Sequence, residues 1–263
     1  MKTAENLDLC APFFEQLRRA RTRVLMLDYD GTLAPFTADR TRAFPYREIP
    51  QTVSRIVGCK TRVVLISGRA ATELVFLSGI HPHPEIWGSH GAERLYPDGS
   101  YEVESPQPRQ RVGLQNANRC LRAAGLAARM ESKPGGIAVH WRGLAAAEQA
   151  SIEEKVRTLC GSLVGEYDLQ LLSFDGGLEI RATSKNKGDA VSAILAEVGA
   201  EATAAYLGDD QTDENAFRAI KGHGLAVLVG SEPRPTMADV WLRPPEELGY
   251  FLREWLAACG AQK

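Results

Sequence analysis

The sequence predicts a doubly wound α/β core, a parallel sheet with helices on both faces, carrying a smaller inserted α/β domain. Three observations lead there. Short apolar runs end in polar or glycine-rich turns at 24–33 (VLMLDYDGTL), 62–69, 85–91, 204–210, 224–230 and 239–242. Helix-like stretches fall between several of them, at 72–78, 187–198, 212–220 and 245–259. Strands that alternate with helices over such short connections pair in parallel. Residues 108–183 break the alternation with two amphipathic helices (109–129 and 145–163) and strands at 136–142 and 169–182, enough chain for a small second domain. The expected division is a core of 1–107 and 184–263 around an insert of 108–183, entered past Pro106 and Pro108.

Within the first twenty residues, Phe13, Phe14 and Leu17 form the apolar side of a short helix packed on the core. Residues 24–27 are uniformly apolar, as in a buried parallel strand, and Asp28 and Asp30 stand at its carboxyl end, where open α/β sheets place their chemistry. Two crowded carboxylates raise each other's pKa unless a cation neutralises them. The pair is therefore a divalent-metal site, a nucleophile beside an acid/base, or simply two solvated residues at a turn. Ser67-Gly68-Arg69 follows the second strand, and Ser67 either caps the next helix or joins backbone N–H groups around a phosphate.

The last two strands of the insert read as a hairpin turning around Asp175-Gly176-Gly177. Beyond it, Asn186 can cap the helix that Lys187 and Gly188 begin, and Gly188 leaves room for a ligand near the backbone. Lys187 is set against the helix dipole, which is better explained by an anion bound between them. In the run Gly208-Asp209-Asp210-Gln211-Thr212-Asp213-Glu214, the last three residues already supply a good helix start. Asp209 and Asp210 are left over as hard oxygen ligands suited to Mg²⁺.

Bulk properties narrow the class. At 263 residues, 44% hydrophobic and 24% charged, the chain has ordinary globular composition, and a net charge of −2 offers no field for a nucleic-acid partner. The five scattered cysteines have no CxxC spacing and read as free thiols of a reducing compartment. No signal peptide or membrane-length apolar segment is expected, so the protein is read as cytoplasmic. No heptad or long apolar stripe argues for assembly, and a monomer is expected.

An acidic pair, Ser67, Lys187 and a second acidic pair, in that order at strand and helix ends, resemble the haloacid dehalogenase superfamily of phosphotransferases. The resemblance implies a haloacid-dehalogenase-like core in which Asp28 attacks phosphorus to give an aspartyl-phosphate. Asp30 protonates the leaving alcohol and then activates water. It implies Mg²⁺ held by Asp28, the Asp30 backbone carbonyl and Asp209, with Asp210 or Asp213 in support, and phosphoryl oxygens bound by Ser67 and Lys187.

The insert lies where this superfamily carries its larger α/β caps, which close over the leaving group. His140 and Arg142 alternate in phase, as do Glu179 and Arg181, giving either a solvated sheet face or a surface for sugar hydroxyls. Gly88–Glu93, the set Glu131, Lys133, His140 and Arg142, the pair Glu179 and Arg181, and residues 208–214 are together similar to the trehalose-6-phosphate phosphatase family over nearly the whole chain. That resemblance implies a sugar-phosphate substrate contacted by Glu131, Lys133 and Glu179, with His90 and Glu93 on the core side and Gly68 and Arg69 beside the phosphate. The chain departs from the family pattern at Ala182, where proline is usual, and at 183–186. The remaining alternatives are a phosphatase for mannosylglycerate phosphate or sucrose phosphate, a phosphomutase, and a catalytically silent sugar-phosphate sensor.

Overall fold

The computed structural model describes residues 9–37, 39–174, 176–182 and 185–260. Asp175 of the expected hairpin turn, 183–184 on the way back to the core and the first eight residues lie outside the described residues. The chain divides into two compact units, Met1–Glu102 with Asn186–Lys263 and Val103–Lys185.

In chain order the larger unit begins with α1 (Ala11–Arg19), β1 (Arg23–Leu27), α2 (Ile49–Gly58), β2 (Thr61–Ile66), α3 (Ala71–Leu77), β3 (Glu85–Gly88), β4 (Glu93–Leu95) and β5 (Tyr101–Val103). The smaller unit holds α4 (Pro108–Ala123), β6 (Met130–Lys133), β7 (Gly136–His140), α5 (Ala146–Tyr167), β8 (Gln170–Phe174) and β9 (Gly177–Arg181). The chain returns through α6 (Lys187–Val198), β10 (Thr203–Gly208), α7 (Glu214–Ile220), β11 (Gly224–Val229), β12 (Val240–Leu242) and α8 (Glu246–Ala258).

The larger sheet runs β12-β11-β10-β1-β2-β3-β4-β5. It is parallel from β12 to β3, and β4 is antiparallel to β3. The inner strands carry consecutive apolar residues, as in 24–27 and 63–66, because alternate residues enter different cores. Leu25, Leu27, Val63, Leu65 and Val229 meet Phe14, Ile56, Leu74, Phe251 and Trp255 from α1, α2, α3 and α8. Val24, Met26, Val64, Ile66 and Tyr206 meet Val191, Ile194, Phe217 and Ile220 from α6 and α7. Burial on both faces removes the polar/apolar alternation of a half-exposed strand. The order also reverses at β1, whose neighbours β2 and β10 lead away in opposite directions, and a crevice at such a switch point is where α/β sheets bind ligands.

The smaller unit is an antiparallel sheet, β6-β7-β9-β8, with α4 and α5 on one face. Ile137, Val139, Leu178 and Ile180 pack on Ala117, Leu121, Ile152 and Val156. The register sets Glu131 opposite Ala138 and Ala138 opposite Glu179, so these positions share the other face.

The doubly wound core with an inserted α/β unit matches the fold class read from the sequence. The differences are local. β6 has the sequence MESK, with no apolar alternation to reveal it, and α2 carries no feature that the strand-end reading uses. α4 stops at Ala123, short of the expected end, because Gly125 turns the chain at φ +81°. The stretch 212–220 divides into a 3₁₀ turn, Gln211–Asp213, and α7.

Trp255 is fully buried and donates from Nε1 to Thr61 Oγ1 at 3.2 Å. Trp255→Ala is expected to lower the unfolding free energy by roughly 3–5 kcal/mol in urea titration. A loss under about 1 kcal/mol would show that α8 does not close this core.

Candidate active site

β1 and β10 end side by side, since the Asp28 N–H donates to Leu207 O at 2.9 Å. Asp28 is buried, with Oδ1 accepting from Lys187 Nζ at 2.6 Å and Oδ2 from Thr32 Oγ1 at 3.1 Å. Lys187 Nζ also donates to Asp213 Oδ1 at 2.7 Å. Asp213 is saturated: Tyr206 OH donates to Oδ1, and the N–H groups of Asp209 and Asp210 donate to Oδ2 at 3.1 and 2.9 Å. Gly31, at φ +84°, lets Asp209 approach the turn after β1, because a Cβ there would lie 2.0 Å from Asp209 Oδ2.

Asp28, Asp209 and Asp213 each offer an oxygen within 4.8 Å of the others. Burial pushes the Asp28 carboxyl up while Lys187 pulls it back. Burial and the charges of Asp28 and Asp213 push Asp209 up as well. Burial opposes the Lys187 ammonium, but Asp213 and Asp28 outweigh it and hold its pKa above normal. Carboxylates this close and this dry, all oxygen donors, fit a hard divalent cation such as Mg²⁺.

Asn186 caps α6 by accepting from Gly188 N–H at 2.8 Å, and Lys187 is the first helical residue. The anions that hold it against the helix dipole include the protein's own Asp28 and Asp213. Gly188 serves packing: a Cβ there would meet Asn215 O at 2.6 Å.

Asp30 receives a two-pronged pair from Arg69, Nε to Oδ2 at 2.6 Å and Nη2 to Oδ1 at 2.7 Å. Arg69 also binds Glu73, which in turn pairs with Arg40 at 3.0 Å. Ser67 does not cap α3, which starts at Ala71; its Oγ accepts from Arg69 N–H at 3.2 Å. His90 closes the same loop. Ser89, His90 and Gly91 all have positive φ, the His90 N–H donates to Ser67 O at 2.9 Å, and a Cβ on Gly68 would lie 2.6 Å from His90 Nε2. Glu93 is buried and accepts from Ser89 Oγ and Tyr101 OH, which holds that turn.

In the smaller unit His140 Nε2 lies 2.8 Å from Glu131 Oε2, and Lys133 Nζ lies 3.5 Å from Glu179 and 3.9 Å from Glu131. Lys133, Glu179 and Arg181 are nearly buried. Arg142 lies past the end of β7, against Gly176, out of strand register with His140.

The structure thus gathers Asp28, Lys187 and Asp209 around one point, with Asp213 rather than Asp210 completing the acidic trio among the described residues. Asp210 instead accepts from Gln211 N–H at 2.6 Å, capping the 3₁₀ turn. Thr32 and Tyr206 were missed. Thr32 stands directly after the acidic turn and was legible there; a tyrosine inside an apolar strand gives no signal.

The profile of a family described as Trehalose-phosphatase matches residues 26–242. A protein named "Probable trehalose-phosphate phosphatase 9" from Oryza sativa subsp. japonica is 31% identical over 90% of this chain and 70% of its own. The structure of Aspergillus fumigatus trehalose-6-phosphate phosphatase (crystal form 2) superposes with a TM-score of 0.64 at 25% identity, covering 95% of this chain and 97% of that one. A haloacid dehalogenase-like hydrolase from Bacteroides thetaiotaomicron shares the fold, with a TM-score of 0.62 at 18% identity over 89% and 99% of the two chains.

A carboxyl whose pKa is higher in the fold than in the unfolded chain binds more protons when folded, so stability falls as pH rises. Asp28, pushed up to about 7, acts in this sense from the ordinary carboxyl range through neutrality. Without divalent cation, the thermal midpoint is expected to fall between about pH 5 and about pH 8, and to fall less in Asp28→Asn. Equal pH dependence in the two proteins would remove Asp28 as the source.

Proposed function

The chain belongs to the trehalose-phosphatase family and is a phosphoric monoester hydrolase, and we propose from that premise that it hydrolyses trehalose 6-phosphate to trehalose and phosphate with Mg²⁺ bound. The observation that carries the reading is the different footing of the two leading carboxylates. Asp28 is buried between Lys187 and Thr32, whereas Asp30, two residues on, is gripped by Arg69 at the side. One is set to meet phosphorus and the other to handle a proton.

Asp28, Asp209 and the Asp30 carbonyl would hold Mg²⁺, with Asp213 orienting the loop and Asp210 at its margin. The ion would supply positive charge that suppresses repulsion between Asp28 and the phosphoryl group. An Asp28 oxygen bonds to phosphorus as the bond from phosphorus to the sugar oxygen breaks, and Asp30 gives that oxygen a proton. Asp30 then takes a proton from water. The hydroxide attacks phosphorus, releasing phosphate and restoring the Asp28 carboxylate. Ser67 and the Lys187 ammonium face the phosphoryl oxygens, and positioning with electrostatics supplies most of the rate. Gly68, Arg69 and His90 shape the phosphate loop, which Glu93 braces. Glu131, Lys133, His140, Glu179 and Arg181 receive the sugar hydroxyls, with Arg142 at the edge of that face.

The same proposal makes the protein a cytoplasmic monomer acting on a small molecule, with neither nucleic acid nor membrane as partner. Among the described residues no helix is long and apolar enough to cross a membrane.

The test is phosphate release from trehalose 6-phosphate, sucrose phosphate, mannosylglycerate phosphate and glucose 6-phosphate, with Mg²⁺ and with chelator. Trehalose 6-phosphate should be preferred, and chelation should abolish turnover. Equal kcat/KM for glucose 6-phosphate would overturn the substrate reading. Asp28→Asn should fold and lose at least about 10³-fold in kcat, whereas an unchanged kcat would remove Asp28 as nucleophile.

A further inference from the structure

The loop that carries Asp209 is held from two sides, and only one of them belongs to the motifs already described. On the N–H side Asp213 Oδ2 accepts from Asp209 and Asp210. On the carbonyl side stands Arg234, from the segment between β11 and β12. Its Nε donates to Asp209 O at 3.2 Å and its Nη2 to Asp210 O at 2.8 Å. The peptide between Asp209 and Asp210 therefore has its N–H on a carboxylate and its C=O on a guanidinium. Both ends of that plane are fixed by full charges, which sets the direction in which Asp209 leaves the backbone over Gly31.

Arg234 is itself held rigidly. Pro233 and Pro235 flank it, which restricts the backbone on both sides. Glu214, the first residue of α7, accepts from Arg234 Nη1, from Thr236 Oγ1 at 2.8 Å and from Met237 N–H at 2.8 Å. One carboxylate thus ties the 234–237 segment to the helix that begins where the acidic loop ends. The guanidinium is a planar fork that reaches two carbonyls at once, which a lysine ammonium does not match.

We propose that Arg234 is a positioning residue for metal binding: it holds the Asp209–Asp210 peptide in the orientation that lets Asp209 ligate the divalent cation. The inference rests on the Mg²⁺ reading above. Arg234 touches neither substrate nor metal and acts through the backbone. Groups that orient metal ligands typically contribute about 10- to 100-fold in metal affinity.

The experiment measures the thermal midpoint of purified protein across a Mg²⁺ titration, beside kcat and KM for trehalose 6-phosphate at saturating Mg²⁺. Arg234→Met and Arg234→Lys should each raise the half-saturating Mg²⁺ concentration by roughly tenfold or more, with KM for the sugar phosphate unchanged. Thr236→Val loosens the same segment without touching either carbonyl. It should lower the metal-free midpoint and leave the Mg²⁺ requirement as in the parent protein. If Arg234→Met fails to fold, Arg234→Lys decides. An Arg234→Lys protein that binds Mg²⁺ as tightly as the parent overturns the inference alone. A parent protein with no Mg²⁺-dependent shift overturns the metal reading and this inference with it.

Discussion

Everything at the sheet edge depends on one buried ammonium. Lys187 Nζ binds Asp28 at the end of β1 and Asp213 at the start of α7, so a residue from a third element joins the two loops that face each other across the switch point. Burying a charge is costly unless it is paired and well hydrogen-bonded, and here both carboxylates are within 2.7 Å. The arrangement is still unbalanced. Three carboxylates against one ammonium leave two negative charges uncompensated when all are ionised. The protein meets part of that excess with raised carboxyl pKa values. A divalent cation would meet the whole of it, so the electrostatic imbalance that weakens the metal-free fold is also what would bind the ion.

Two aspartates so close in sequence nonetheless differ. Asp28 lies inside the dry cluster and Asp30 outside it, because the strand ends at Leu27 and the chain turns through Gly31. Asp30 then meets Arg69, which is fixed by Glu73 on α3 and lies 5.7 Å from the Tyr29 ring centroid. The sequence reading named no partner for the Asp30 side chain. The structure gives it a partner, so in the proposed reaction the Asp30 carboxyl that gives up the proton is an oriented one, and the Arg69 contact must persist or yield as the leaving oxygen arrives.

Strand ends were legible in the sequence because burial on both faces makes an inner strand a run of consecutive apolar residues, so the first polar residue after that run marks the carboxyl edge. Asp28, Ser67 and Asp209 were found that way. Residues whose role lies in what they hold were not. From its position Asp213 read as a helix start, and only the resemblance offered it, as an alternative to Asp210, in support of the metal; its two oxygens in fact take four hydrogen bonds that organise the loop. Arg234 lies between prolines in an irregular segment, with no periodicity to give it a face. β6 was hidden for another reason: three of its four residues, Glu131, Ser132 and Lys133, are polar, so it lacks the alternation that marks a strand.

The polar face to which β6 contributes is difficult to explain by folding alone. Lys133 and Glu179 are almost fully buried, and replacing such charges by apolar residues of similar volume is often neutral or stabilising. The opposite face already supplies the unit's core through Ile137, Val139, Leu178 and Ile180. A row in which Glu131 meets His140 and Lys133 meets Glu179 keeps its donors and acceptors preordered, and preordering reduces the entropy lost when hydroxyls bind. In the proposed reaction, nothing at Asp28 itself distinguishes one sugar alcohol from another as the leaving group. Under that proposal, discrimination among sugars falls to a surface whose charges are retained against the interest of stability, and among the described residues of the smaller unit this face has that character.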